Sequence, residues 1–201
     1  TWSTILSGTT NFLSSVFFID SNNGWVGGYS STLLKTTDGG NIWVPQTSGL
    51  DGDVTSVFFI NSTTGLLTEL GGTVNNPVSI IKRSTNGGAS WSDQVSYSSF
   101  DLYSVTFASA NDGWAVGTSG NIVRSSNGGV SWGSPQTPVS TQFDQVFARV
   151  DAGVWIVGLG GTILKAADQP IQVTVILEGA YVTSSDNMRT DLRNSSVGDL
   201  G

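Results

Sequence analysis

The chain of 201 residues contains no His and no Cys, which excludes imidazole base catalysis, thiol nucleophiles, disulfides and Cys/His zinc sites. There are two Glu residues, Glu69 and Glu178, and neither stands near a suitable Tyr in the pattern described below. Asp51 and Asp53 fall in a Gly-rich, turn-like stretch and read as solvated loop charge. No catalytic constellation emerges, so the chain is expected to be non-enzymatic and to carry no cofactor. Three other sets could bind rather than react. They are the turn residues Asp38, Asn86 and Asn127, the Trp residues, and the cations Lys35, Arg83, Arg124 and Lys165. Each set recurs at a fixed spacing, and the elements that carry it decide its role.

Those elements are copies of one repeat. Asp38-Gly39-Gly40-Asn41-Ile42-Trp43, Asn86-Gly87-Gly88-Ala89-Ser90-Trp91 and Asn127-Gly128-Gly129-Val130-Ser131-Trp132 nearly superimpose, and each follows a short apolar run ending in Lys or Arg. Asp-Gly or Asn-Gly between two strand-like runs is a strong hairpin signal, because these residues tolerate positive φ. The Asp or Asn side chain can also accept hydrogen bonds from its own turn. Upstream, the steps Val16 to Trp25, Val57 to Leu66, Val105 to Trp114 and Val146 to Trp155 are all equal in length. Each repeat therefore reads as four antiparallel strands, the sequence signature of a propeller blade. The second copy carries extra residues around Gly71, Gly72, Thr73, Val74, Asn75, Asn76 and Pro77, a hairpin insertion and a candidate partner contact.

The fourth copy stops matching at Asp168, before its last strand. Trp2 to Gly8 matches Trp43 to Gly49 and could supply that strand, closing the ring and removing two sheet edges. The expected fold is all-β: a small β-propeller of four four-stranded antiparallel blades over residues 1–168, closed by the N-terminal strand. A C-terminal β extension covers 169–201. Within that frame the turn residues sit one per blade, so they cannot converge on one ion. They read as structural, together with the glycines and the Trp of each box. The Trp residues recur at equivalent positions, as packing between blades requires, rather than forming a sugar platform. The four cations read as snorkelling over aromatic rings or pairing with carboxylates.

The run Gly24 to Gly28 (repeated at Gly113 to Gly117), a strand ending in Lys or Arg, and the Asp/Asn-Gly-Gly-x-x-Trp box together resemble the Asp-box, or BNR-like, repeats. The likeness is greatest to propellers related to photosystem II assembly/stability factors, which also occur in large secreted bacterial proteins of Bacteroidetes and Ignavibacteria type. The resemblance covers about residues 1–168 and implies the propeller fold. It would allow a sialidase-like glycosidase or glycan binder, but that chemistry needs an arginine triad and a Tyr–Glu pair. This chain has five Arg residues, two of them (Arg189 and Arg193) in the tail. It would also allow a photosystem-assembly chaperone. The tail run containing Val173, Val175, Leu177, Glu178 and Tyr181, followed by Met188 to Leu192, resembles a β-module near the C-termini of secreted bacterial proteins.

Composition narrows the partners. A net charge of −7 and a pI near 4.2 disfavour nucleic acid and anionic membrane surfaces. No apolar run is long enough to span a membrane. The expectation is therefore an extracellular or cell-surface bacterial module with a structural or protein-interaction role. Its partner would be a protein or a second copy of itself, engaged through the insertion or through Val173, Val175, Leu177 and Tyr181.

Overall fold

A computed structural model describes residues 1–46, 48–73, 76–134 and 139–166, together with two short strands at 175–177 and 180–182. The chain divides into two compact units, Thr1–Lys165 and Ala166–Gly201. The first unit holds four antiparallel sheets, one for each repeat. The first sheet contains β1 (Leu13–Phe18), β2 (Gly24–Gly28), β3 (Thr32–Thr36) and β4 (Val44–Pro45). The second contains β5 (Asp53–Phe59), β6 (Gly65–Thr73), β7 (Asn76–Ser84) and β8 (Ser92–Tyr97). The third has β9 (Leu102–Phe107), β10 (Gly113–Gly117) and β11 (Ile122–Ser125); the fourth has β12 (Phe143–Arg149), β13 (Gly153–Gly158) and β14 (Thr162–Lys165). Strand order within each sheet follows chain order, a meander. In the second unit β15 (Val175–Leu177) pairs antiparallel with β16 (Ala180–Val182).

The equal spacing seen in the sequence is a register. Trp25 lies opposite Lys35, Leu66 opposite Arg83, Trp114 opposite Arg124 and Trp155 opposite Lys165. Three apolar clusters fill the spaces between consecutive sheets. Trp25, Val54, Val57, Phe59 and Leu67 pack the first against the second. Leu66, Ile81, Leu102, Val105 and Phe107 do the same for the second and third, and Val116, Phe143, Val146 and Ile156 for the third and fourth. A hydroxyl seam runs beside them. Ser15, Ser56 and Ser104 each accept the N–H of a Val in the next sheet, Val57, Val105 and Val146, at 3.1–3.2 Å.

The strand count of the last two blades falls partly outside the described residues, and the closing strand needs correction. The third and fourth sheets have three strands each among the described residues, the third adding only an isolated bridge between Arg124 and Gly133. Nor does Trp2 to Gly8 close the fourth sheet: these residues form no strand, and Trp2 stands fully exposed. The physical reason is a missing ring. Trp43, Trp91 and Trp132 each meet a Phe edge-on (Phe18, Phe59 and Phe107) at 5.8–5.9 Å. Ala148 occupies that register in the fourth repeat, so a Trp arriving there has nothing to pack on.

Candidate functional site

The three Gly-Gly boxes are built alike. The hydroxyl of Thr36, Ser84 or Ser125 donates to the Oδ1 of Asp38, Asn86 or Asn127 at 2.8–3.0 Å. It accepts the N–H of Gly40, Gly88 or Gly129 at 2.9–3.0 Å. The same Oδ1 accepts the N–H of Ile42, Ser90 or Ser131 at 3.0 Å. Both glycines of each box have positive φ, from 71° to 88°, a region open to glycine and strained for residues with a Cβ. The Ile42 N–H and then the Thr36 hydroxyl hold the Asp38 carboxyl below its ordinary value. The Oδ1 atom of each box is therefore committed to its own turn. Ser125 is 1% exposed, and its removal would leave the buried Gly129 N–H unpaired. Ser125→Ala is expected to destabilise by about 1–3 kcal/mol in urea titration, and no loss would contradict this role.

Trp25, Lys35 and Arg83 meet the boxes of the following sheet. Trp25 stacks on Phe59 at 3.6 Å, and its Nε1–H donates to Gly87 O at 3.1 Å. Lys35 reaches the same oxygen at 3.2 Å while lying 5.2 Å from the Trp25 ring centre. One sheet on, Arg83 Nε donates to Gly128 O at 2.9 Å. Leu66 lies under Gly129, where an added Cβ would come within 2.6 Å of it. Arg124 and Lys165 lie over Trp114 and Trp155 at 5.5 and 5.3 Å. Arg124 also pairs with Asp112 at 3.1 Å. Most of this layer is an inter-sheet joint, with Trp25 only 1% exposed.

A second polar feature was not visible in the repeat. Glu69 is fully buried, and its Oε1 accepts the Asp51 N–H at 3.0 Å. Lys82 Nζ stands 3.5 Å from Glu69 Oε2 and 2.7 Å from Asp93 Oδ1. Burial, and then the interaction with Asp51, raise the Glu69 carboxyl above its ordinary value. Burial pulls the Lys82 ammonium down, but the hydrogen bond to Asp93 and the charges of Glu69 and Asp93 outweigh it and hold it above the ordinary Lys range. The signal was a charge at a core register, since Leu34, Val123 and Leu164 occupy the position of Lys82 in the other copies. Asp53 is also more than loop charge: its Oδ1 accepts the N–H of Ser30, a residue of the first repeat in the left-handed region, at 2.8 Å.

The insertion is a lengthening of the β6–β7 hairpin, with Gly71 opposite Val78, Gly72 opposite Pro77 and Thr73 opposite Asn76. Val74 and Asn75 lie outside the described residues, as does Val173. Val175 and Leu177 are in β15 and Tyr181 is in β16, both strands of the second unit. A shallow pocket of about 300 Å³ opens beside the first box, lined by Lys35, Thr37, Asp38, Ile42, Val44 and Gln46. Among the described residues no group of three acidic, His or Cys side chains could hold a metal ion, and no helix is long and apolar enough to cross a membrane.

Comparison with known proteins follows the repeat. Residues 1–100 match the family model described as photosynthesis system II assembly factor YCF48. The photosystem II assembly protein Ycf48 of Thermosynechococcus vestitus is 42% identical over 50 residues, which is 25% of this chain and 14% of that protein. A structure of YCF48 bound to D1 peptide superimposes with a TM-score of 0.58 at 22% identity, over 77% of this chain and 52% of that one. YCF48 from Cyanidioschyzon merolae gives 0.59 at 19% identity, over 90% and 58%. Two GH74 enzymes share the fold at TM-scores of 0.56 and 0.54, with identities of 18% and 16%, and at that distance the likeness shows the fold alone. The chain spans about half the length of the YCF48 structures and a smaller share of the curated relative.

The chain is thus an all-β, BNR-like propeller related to photosystem II assembly factors. These matches overturn the extracellular structural module and the cell-surface placement expected from the sequence, because the relatives are photosystem II assembly proteins. The physical reason for the error is plain. A low-charge surface rich in Ser, Thr and Asn keeps any propeller soluble and says nothing about compartment, and the tail likeness rested on residues that mostly lie outside those described.

Proposed function

We propose that this chain is a protein-binding propeller of the photosystem II assembly type, whose partner is a photosystem subunit segment of the D1 kind. The observation that carries this reading is the family match across the first two repeats, residues 1–100, where the residues shared by all copies and those peculiar to the second copy lie together. A related protein has been captured with a D1 peptide, which gives the partner class. The boxes and the Trp layer are committed to the scaffold, so recognition falls to what the repeat does not need. The lengthened β6–β7 hairpin is the principal candidate, with Gly71 and Gly72 on its described backbone. An edge of this kind can pair with an extended peptide through main-chain hydrogen bonds.

The test is titration of a fluorescent D1 peptide into the chain, with a scrambled peptide beside it. Saturable binding of the D1 peptide alone is expected, and equal or absent binding of both would end the reading. Replacing residues 71–77 by a two-residue turn is expected to weaken that binding at least tenfold, a change of about 1.4 kcal/mol, while leaving the far-UV spectrum unchanged. Unaltered affinity would move the contact elsewhere without touching the partner class.

A further inference from the structure

The second and third boxes each place an amide side chain directly before a glycine, at Asn86-Gly87 and Asn127-Gly128. A following glycine, having no Cβ, is the residue whose backbone nitrogen is least hindered in attacking the amide carbon. Both Asn side chains are exposed to water, whereas the two glycines are buried and their nitrogens are held. Gly87 N–H donates to Thr63 O at 2.8 Å, and Gly128 N–H to Asn111 O at 3.0 Å. Each glycine is also gripped from the preceding sheet. Gly87 O accepts from Trp25 Nε1 and Lys35 Nζ at 3.1 and 3.2 Å, and Gly128 O accepts from Arg83 Nε at 2.9 Å. The amides themselves are anchored, Nδ2 donating to Ser90 Oγ at 2.9 Å and to Ser131 Oγ at 2.8 Å. The first box holds Asp38 in the same frame, so a carboxylate fits where the other two have an amide.

We infer that Asn86 and Asn127 are deamidation sites that react only when their boxes open, each guarded by a cation of the preceding sheet, Lys35 for Asn86 and Arg83 for Asn127. On opening, the glycine nitrogen loses its proton and bonds to the Asn Cγ. The Cγ–Nδ2 bond breaks, and ammonia leaves with that proton, closing a succinimide ring. Water, the one co-reactant, then opens the ring at either carbonyl. Opening at Cγ gives aspartate in an unchanged main chain, and the box can re-form in the Asp38 manner. Opening at the other carbonyl gives isoaspartate, which lengthens the main chain by a methylene ahead of the two positive-φ glycines and misplaces them. The two guards are unequal. Gly87 O keeps the Trp25 bond when Lys35 is lost, so Arg83 protects its box more strongly than Lys35 does. The inference concerns the scaffold and stands or falls apart from the photosystem reading.

The test is incubation of the whole chain in mildly alkaline buffer, folded and in urea. Peptide mapping by mass spectrometry then follows aspartate and isoaspartate at each Asn. In the folded wild type both sites are expected to react at least about tenfold more slowly than in urea, as reaction through local opening requires. Arg83→Met keeps the stem and removes the donor. It is expected to speed Asn127 by about tenfold or more, the worth of a charge-assisted hydrogen bond, and to leave Asn86 unchanged. Lys35→Met is expected to speed Asn86 by a smaller factor and to leave Asn127 unchanged. Urea midpoints taken alongside distinguish guarding from general loosening, which would speed both sites together. A folded wild type that deamidates as fast as the unfolded chain overturns the inference. So does a variant that speeds both sites alike, or neither.

Discussion

Trp25→Ala is expected to destabilise the propeller by about 3–5 kcal/mol, a large share of the roughly 5–15 kcal/mol available to a domain. The indole is 1% exposed and lies between the first and second sheets, stacked on Phe59 at 3.6 Å and nearly parallel to it at 13°. Truncation removes that stack and opens a cavity that Gly88 cannot fill. It also takes a donor from Gly87 O, although Lys35 Nζ, at 3.2 Å from the same oxygen, retains part of the bond. Trp25→Phe should recover more than half of the loss, because the ring stays and only the N–H goes. Trp155→Ala, at the equivalent register but 40% exposed, should cost no more than about 1 kcal/mol in dilute solution. Urea titrations followed by circular dichroism with a common m-value would compare the three. Equal losses at Trp25 and Trp155 would mean that the inter-sheet joint is not what the Trp layer stabilises.

The contrast between those two Trp residues marks how far the sequence could be read. Identical spacing made the strands, their order and their register legible, because Val-to-Trp and Trp-to-Lys steps are local consequences of hairpin geometry. The inward-turned hydrogen bonds of the boxes were legible for the same reason. Ring closure was not. It depends on whether a strand far away in the chain finds a partner surface, and the decisive residue is Ala148, where three other copies have Phe. A repeat alignment treats that as one mismatch among many, whereas in three dimensions it removes the ring a closing Trp would meet. The expected compartment failed because surface composition reports on solubility and charge, while the assembly-factor likeness lies in residues 1–100. Asp53 with Ser30 was missed because only the folded sheets bring them together, whereas Glu69 and Lys82 share the β6–β7 hairpin, where the signal was a Lys at a register that the other copies fill with Leu or Val.

The Glu69–Lys82 pair carries the second large effect. In the other copies the register of Glu69 is glycine, at Gly28, Gly117 and Gly158, where an added Cβ would sit 1.6–2.3 Å from the carbonyl of Phe12, Asp101 or Gln142. The longer β6–β7 hairpin admits a side chain there and places a carboxylate inside the second sheet. Lys82 is its neutralising partner, and Glu69 Oε2 has no hydrogen bond of its own. Lys82→Met is expected to cost about 3–5 kcal/mol near pH 7, since it leaves a buried carboxylate without a counter-charge. The sign of the pH dependence follows from the raised carboxyl. Above the ordinary value of 4.5 the folded state holds a proton that the unfolded state has lost, so this group's contribution falls as pH rises through its folded value. Without Lys82 that value rises further, and the deficit of the variant should shrink from about pH 7 to about pH 5 as Glu69 takes up its proton. Adding Glu69→Gln to Lys82→Met should restore much of the stability near pH 7, because the amide can still accept the Asp51 N–H without a charge to neutralise. Urea midpoints of the wild type and the variants at both pH values decide the matter: a deficit independent of pH, or a double variant no more stable than Lys82→Met, would show that Lys82 acts through packing of its stem rather than through its charge.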